Sequence, residues 1–256
     1  MSNVTMQIKS VLSRWDVWAF MLCSILFNQL PEIDLWVSDH FYNGVLFPAA
    51  QHPLIEFIYR LFAKIHLLYL VILLIGLAIT YSFRRPLPVW RKRLSYLLIV
   101  LLLGPGLLVN LGLKDNSFGR PRPIQIEAYG GKSQFSPAFS YSGVCHHNCS
   151  FVSGHAAVAF YLMALGWAFG RRWVFVLGVI LGIVVGAVRI SQGGHFLSDV
   201  VFSFWTVYFV SLITARYFNL RCSALVNRPL FKSGHSGLAP SRAAPSRQWK
   251  SERMMS

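Results

Sequence analysis

The sequence predicts an all-α, polytopic membrane protein: six transmembrane helices in a bundle, with a candidate active site at the periplasmic ends of helices 3–6. Three observations predict it. Of 256 residues, 13% are charged and 55% hydrophobic, whereas soluble domains carry about 25% charged residues. Apolar runs of about 20 residues recur, each long enough to cross a bilayer as a helix. Finally, 24 Lys and Arg stand against 9 Asp and Glu, and the bases gather in alternate loops, as topology-setting charge does. The low charged share excludes a soluble nucleic-acid binder, whose positive charge would lie on a broadly charged surface, so no nucleic-acid partner is expected. Hydrophobicity excludes disorder, and four Cys are too few for a disulfide-built scaffold.

The six segments fall at 17–36, 57–83, 94–113, 153–170, 173–190 and 199–216. The first follows Lys9 and Arg14, as the apolar core of a signal peptide would. No small-x-small cleavage site follows it, so a retained helix is expected. Arg60, Lys64 and His66 open the second segment, where snorkelling toward an interface accounts for them. The third ends in LGLKDNSFGRPRP, and the fifth, WVFVLGVILGIVVGAV, has no charge at all. With six crossings, the basic loop at 84–93, Arg171–Arg172 and the tail after Arg216 share one side, which is then the cytoplasm. Both termini lie inside, and the whole net charge of +15 falls there. Residues 1–216 form the membrane domain. Residues 217–256, rich in Ser, Pro, Arg and Ala, read as a basic, disordered cytoplasmic tail.

The chemistry-bearing residues sit at the outer ends of segments three to six. Lys114, Arg120 and Arg122 follow the third; Ser153, Gly154 and His155 open the fourth; Arg189 closes the fifth; His195 and Asp199 lead into the sixth. Each alone reads as an ordinary capping or interfacial residue. Together they describe an anion site. Arg forks onto phosphate oxygens and Lys adds a point charge. The N-terminus of the fourth helix offers backbone N–H groups, which Gly154 lets an anion approach, and the Ser153 hydroxyl adds a donor. His195 and Asp199 are four apart and share a helix face. A carboxylate on one imidazole nitrogen leaves the other nitrogen's lone pair free to attack. His155, on another helix end, is placed to exchange protons with a leaving alkoxide and then with water.

These residues resemble the signature of the type 2 phosphatidic acid phosphatase superfamily, which also includes vanadium haloperoxidases: K-x6-R-P, then P-S-G-H, then S-R-x5-H-x3-D. The third part is matched by Arg189, His195 and Asp199 with Val188 in place of Ser. The second is matched by Ser153-Gly154-His155 with Val152 in place of Pro. In the first part, five residues lie between Lys114 and Arg120 and seven between Lys114 and Arg122, where the family has six; both arginines precede Pro, and Arg122 is taken as the equivalent. The resemblance implies that His195 is a nucleophile forming a phosphohistidine, Asp199 its partner and His155 the general acid. It also implies that Lys114, Arg122, Ser153, Gly154 and Arg189 bind phosphate, with Arg120 on another phosphate oxygen or at the headgroup rim. It implies a metal-independent hydrolase with no cofactor. A site at the outer interface points to a lipid of the periplasmic leaflet of a bacterial inner membrane. KDNSFGRPRP, CSFVSGHAA and RISQGGHFLSDV look most like bacterial lipid A phosphatases, acting on a 1- or 4′-phosphate. Phosphatases of phosphatidylglycerophosphate or undecaprenyl diphosphate and lipid phosphotransferases remain alternatives within the family. Outside it, the rival is a membrane protein that only binds an anion or lipid.

Cys145 and Cys149 bracket His146, His147 and Asn148. In an oxidising compartment they read as a small disulfide loop at the site's entrance. A zinc site built from CHHNC and a pair of free thiols are the other two readings. Cys23 and Cys222 are expected to be unpaired.

Overall fold

The computed structural model describes residues 14–82, 87–114 and 118–221. The described residues all fall within one compact unit. The expected tail, apart from residues 217–221, lies outside the described residues, as does Cys222.

Helix α1 spans Trp15–Gln29 and α2 spans Glu32–Asp39. Together they replace the first expected segment of 17–36. The break has a local cause: Pro31 disfavours a helical residue before it, and Leu30 leaves the helix at φ −127°. Helix α3, Pro53–Ser82, opens on a proline, where the missing N–H costs nothing. Its apolar side chains are mostly exposed, as a lipid-facing helix requires. Arg60, expected to snorkel, pairs with Glu56 one turn away on the exposed face.

Helix α4, Pro88–Leu101, runs into a π-helical stretch, Leu102–Lys114. Pro105 sits inside that stretch and has no N–H to give. The Asn110 amide donates to the Pro105 carbonyl at 2.8 Å, so the widened ladder keeps its acceptor satisfied. The fourth segment is a continuous apolar helix, Gly154–Phe169. It comprises α5 (Gly154–Phe160), a 3-10 turn (Tyr161–Met163) and α6 (Ala164–Phe169). It is buried nearly all round, which fits its lack of a polar face. Helices α7, Arg172–Ser191, and α8, Leu197–Tyr217, complete the bundle.

No strand occurs among the described residues. Among the described residues, four helices are long and apolar enough to cross a membrane: Pro53–Ser82, Pro88–Asn110, Arg172–Ser191 and Leu197–Tyr217. Gly154–Phe169 is apolar but shorter, and α1 has 15 residues. The protein is thus an all-helical, multi-pass membrane protein.

Glycines on one face of α7 set its packing. A Cβ on Gly178 would lie 2.2 Å from the Met163 nitrogen, on Gly182 2.0 Å from the Phe160 ring, and on Gly186 2.3 Å from Val200. Close backbone approach of this kind is how helices associate where no hydrophobic effect drives them together. Replacing Gly182 with Leu should push α7 off α5 and cost about 1–3 kcal/mol, the usual range for overpacking. A lower melting temperature in detergent checks this. Helix α8 is the hub: the Phe20 ring of α1 lies edge-on to Phe202, Trp205 and Phe209 at 5.5–6.1 Å. The Tyr208 hydroxyl donates to the buried Asp16 carboxylate at 2.8 Å.

Candidate active site

The connection between α7 and α8 places the central histidine. Gly193 turns the chain at φ +65°, with no room for a Cβ beside Phe47 and Ile124. At Gly194 a Cβ would stand 2.3 Å from Arg189 Nη2, so glycine lets the guanidinium lie against the backbone just before His195. Asp199, in the first turn of α8, accepts the Phe196 N–H at 2.8 Å and so caps its own helix.

His195 is fully buried. Its Nδ1 lies 2.8 Å from the Ser150 carbonyl oxygen and 3.4 Å from Asp199 Oδ2. A carbonyl only accepts, so Nδ1 carries the proton and donates to Ser150. The sequence expectation that Asp199 is the direct partner is thereby refined: Asp199 is the second, more distant acceptor. It also binds the Ser150 hydroxyl at 2.5 Å, so it holds both histidine and loop. Nε2 is left with its lone pair. It is buried with no hydrogen-bond partner among the described residues.

Burial pushes the His195 imidazole down to about 3, against the pull of Asp199 and aided by the positive charge of Arg189 and Arg122. It is therefore neutral, the form in which an imidazole nitrogen can attack. The same shift carries a stability sign. Unfolded chain takes up a proton near 6.5 and the folded protein near 3. Between those values the unfolded state binds the extra proton, so stability is full above about pH 6.5 and falls toward pH 3. Melting in detergent should show that fall, and His195→Gln should flatten it.

Arg122 and Arg189 approach His195 from two elements, close enough to act on its charge. Arg122 donates from Nη2 to the Asn148 carbonyl at 2.9 Å. Its N–H is bound by the Gln125 side chain at 2.8 Å. Arg189 bonds Gln192, lies 4.6 Å over the Tyr59 ring, and keeps a buried Nε with no hydrogen-bond partner among the described residues. Neither arginine forms a salt bridge among the described residues. His155, in the first turn of α5, stacks on the same Tyr59 ring at 4.8 Å. Tyr59 thus aligns a candidate acid and a candidate phosphate ligand; it was invisible in sequence, lying in a lipid-facing helix with no motif.

Ser153 is fully buried, and its hydroxyl accepts the Ala156 N–H at 3.5 Å. It is the N-cap of α5, with Gly154 the first helical residue. Lys114 closes the π-helical stretch; its side chain lies outside the described residues. Cys145 and Cys149 are joined in a disulfide with Cα atoms 5.6 Å apart. Cys23 is free.

Arg120 departs from its expected place at the phosphate or the rim. It is fully buried, and every nitrogen is engaged. Nε donates to the Ser136 carbonyl at 2.8 Å, Nη2 to Asp34 at 2.8 Å, and Nη1 to Asp199 at 2.7 Å and to the Ser198 hydroxyl at 2.8 Å. The guanidinium also lies 4.3 Å over the Phe196 ring. Asp34 in turn accepts the Ser198 N–H at 2.8 Å. Arg120 therefore clamps two buried carboxylates and fixes Asp199, while Arg122 is the arginine that faces His195.

Residues 92–222 match the PAP2 superfamily. The chain belongs to the PAP2 superfamily. It is similar to the lipid A 4′-phosphatase of Francisella tularensis subsp. novicida (strain U112), with 34% identity over 200 residues, 72% of this chain and 88% of the relative. It is also similar to the lipid A 4′-phosphatase of Rhizobium leguminosarum, with 34% identity over 205 residues, 73% of this chain and 86% of the relative. No solved structure matches it. This PAP2 protein is a phosphatase of the type 2 phosphatidic acid phosphatase kind, and the match covers every candidate residue from Lys114 to Asp199. It leaves out Asp34 and Tyr59, which the fold brings to the same place from α2 and α3.

Proposed function

We propose that this PAP2 phosphatase removes the 4′-phosphate of lipid A in the periplasmic leaflet, through a phosphohistidine on His195. The observation that carries the reading is the meeting of the His195 Nε2 lone pair with two arginines that form no salt bridge among the described residues, beside His155. A dianion is what such a cluster compensates, and a neutral imidazole is what attacks it.

In the first half-reaction Nε2 attacks phosphorus and the bond to the sugar oxygen breaks. His155 gives its proton to the departing alkoxide. In the second, His155 takes a proton from water, the hydroxide attacks phosphorus, and the N–P bond breaks to release inorganic phosphate. Arg122, Arg189, Lys114 and the N–H groups at Gly154 neutralise the charge that gathers on the equatorial oxygens. Asp199 steadies the imidazolium-like ring through both steps.

Two surfaces beside the site favour a lipid with a large polar head. A cavity of about 320 Å³ is lined by Gln125, Lys132, Ser133, Val144 and Cys145. Gln125 is the residue that binds Arg122, so this polar recess adjoins the phosphate site. On the lipid side, an apolar groove of about 330 Å³ runs along Phe160, Ile183, Ile190, Leu197 and Val201. Ile190 follows Arg189 and Leu197 lies two residues beyond His195, so an acyl chain in the groove would leave its head at the histidine. With α1 and Gly154–Phe169 counted as crossings, six spans put both termini in the cytoplasm and the site at the periplasmic face of the inner membrane.

The test is mass spectrometry of lipid A incubated with the purified protein in detergent. Loss of one phosphate, from the non-reducing sugar, is expected. Release from phosphatidylglycerophosphate or undecaprenyl diphosphate with lipid A untouched would replace the substrate while leaving the chemistry.

A further inference from the structure

The end of the bundle remote from His195 holds a second basic cluster that phosphatase chemistry does not use. A cavity of about 370 Å³ is lined there by Lys92 and Arg93 of α4, by Trp167–Phe169 of α6 with Gly170 just beyond, and by Arg221 beyond α8. Arg171 and Arg172 stand beside it at the start of α7. Helix α7 has 20 residues, so this cluster lies about 30 Å from Arg189 at the other end. Among the described residues, none of these five bases forms a salt bridge. Their neighbours are otherwise employed: Arg91 donates to the Thr80 carbonyl at 2.7 Å, and Arg14 is bound to Asp16. The only carboxylate described at this end, Asp16, is therefore already taken.

Three further features fit a lipid better than a soluble anion. Trp90, Trp173 and Tyr217 are exposed at this level, as aromatic side chains at a headgroup interface are. Arg93 lies 5.5 Å from both the Trp90 and Phe169 rings, which holds its guanidinium at the mouth of the cavity. From Arg172 a shallow apolar strip of Trp173, Val176, Leu177 and Ile180 runs along the outer face of α7. The α7 N-cap, Arg171, makes no side-chain cap, so the first N–H groups of that helix are not capped by it.

We propose that this end binds an anionic phospholipid, its phosphate among Lys92, Arg93 and Arg221 and one acyl chain along the α7 strip. A basic pocket between helices at the cytoplasmic side is where such headgroups bind, and each nearby base contributes to the attraction. Because catalysis is about 30 Å away, this lipid is held and not turned over.

Native mass spectrometry of the full chain in detergent tests this, with phosphatidylglycerol and phosphatidylcholine of identical chains as probes. Phosphatidylglycerol adducts should persist at concentrations where phosphatidylcholine adducts do not. The triple variant Lys92→Gln, Arg93→Gln, Arg221→Gln should weaken them about 10- to 100-fold while phosphatase activity remains. Trp173→Ala should weaken them further. Inorganic phosphate in excess should not displace them. Equal binding of the two lipids, an unchanged affinity in the triple variant, or displacement by phosphate alone would each overturn the proposal. If the triple variant does not fold, Arg221→Gln alone, at an exposed position beyond α8, must still reduce the adducts several-fold. The experiment reads binding only, so it stands or falls separately from the substrate proposed above.

Discussion

His195→Ala should lower phosphate release from lipid A by about 10³-fold or more, with the protein still folded and extractable in detergent. The expectation rests on where the ring nitrogens are. Nδ1 is committed to the Ser150 carbonyl at 2.8 Å, so in the proposed mechanism Nε2 is the atom that attacks, while His155 serves as the acid. Arginine and lysine carry no lone pair at this pH, and the Ser153 hydroxyl is spent capping α5. His155→Ala should cost less, about 10²- to 10⁴-fold, because water can supply the proton at a penalty. Single-turnover measurements with rapid acid-free quench should trap phosphate on the chain in His155→Ala and none in His195→Ala. Release in His195→Ala within tenfold of the unmodified protein would end the phosphohistidine mechanism.

Much of the site was legible because its residues repeat helix geometry. His195 and Asp199 are four apart, and Ser153, Gly154 and His155 sit at a helix start. What the sequence could not give was contact between distant segments. Asp34 meets Arg120 across 86 residues and Ser150 meets Asp199 across 49. Tyr59 is one aromatic among many in an apolar run, and only the fold shows it lying between His155 and Arg189. The direct acceptor from His195 was also out of reach, since a backbone carbonyl has no residue type to read. The fold was legible at the level of apolar length. The break at Pro31 is a local event that hydropathy averages away, and the short 154–169 helix is apolar because it is buried in protein.

The two arginines of the RPRP stretch should separate cleanly, one through stability and the other through turnover. Arg120→Ala removes the guanidinium that stands between Asp34 and Asp199, both fully buried. Breaking a buried pair by removing one partner costs about 3–5 kcal/mol, because the other charge is left uncompensated. In a chain this size that is a fall of roughly 10 °C in melting temperature. Arg120→Lys should recover little, since one ammonium cannot serve four acceptors held in a fixed fork. Asp34→Asn should lose less stability than Arg120→Ala, because the amide still accepts from Ser198 and leaves Arg120 paired with Asp199. Arg122→Ala should barely move the melting temperature, as it forfeits one bond to the Asn148 carbonyl at a half-buried position. Its turnover should drop about 10²- to 10³-fold, the loss expected for a preorganised donor aimed at transition-state charge. Arg120→Ala melting like the unmodified protein while losing turnover would reverse the assignment and make Arg120 the phosphate ligand.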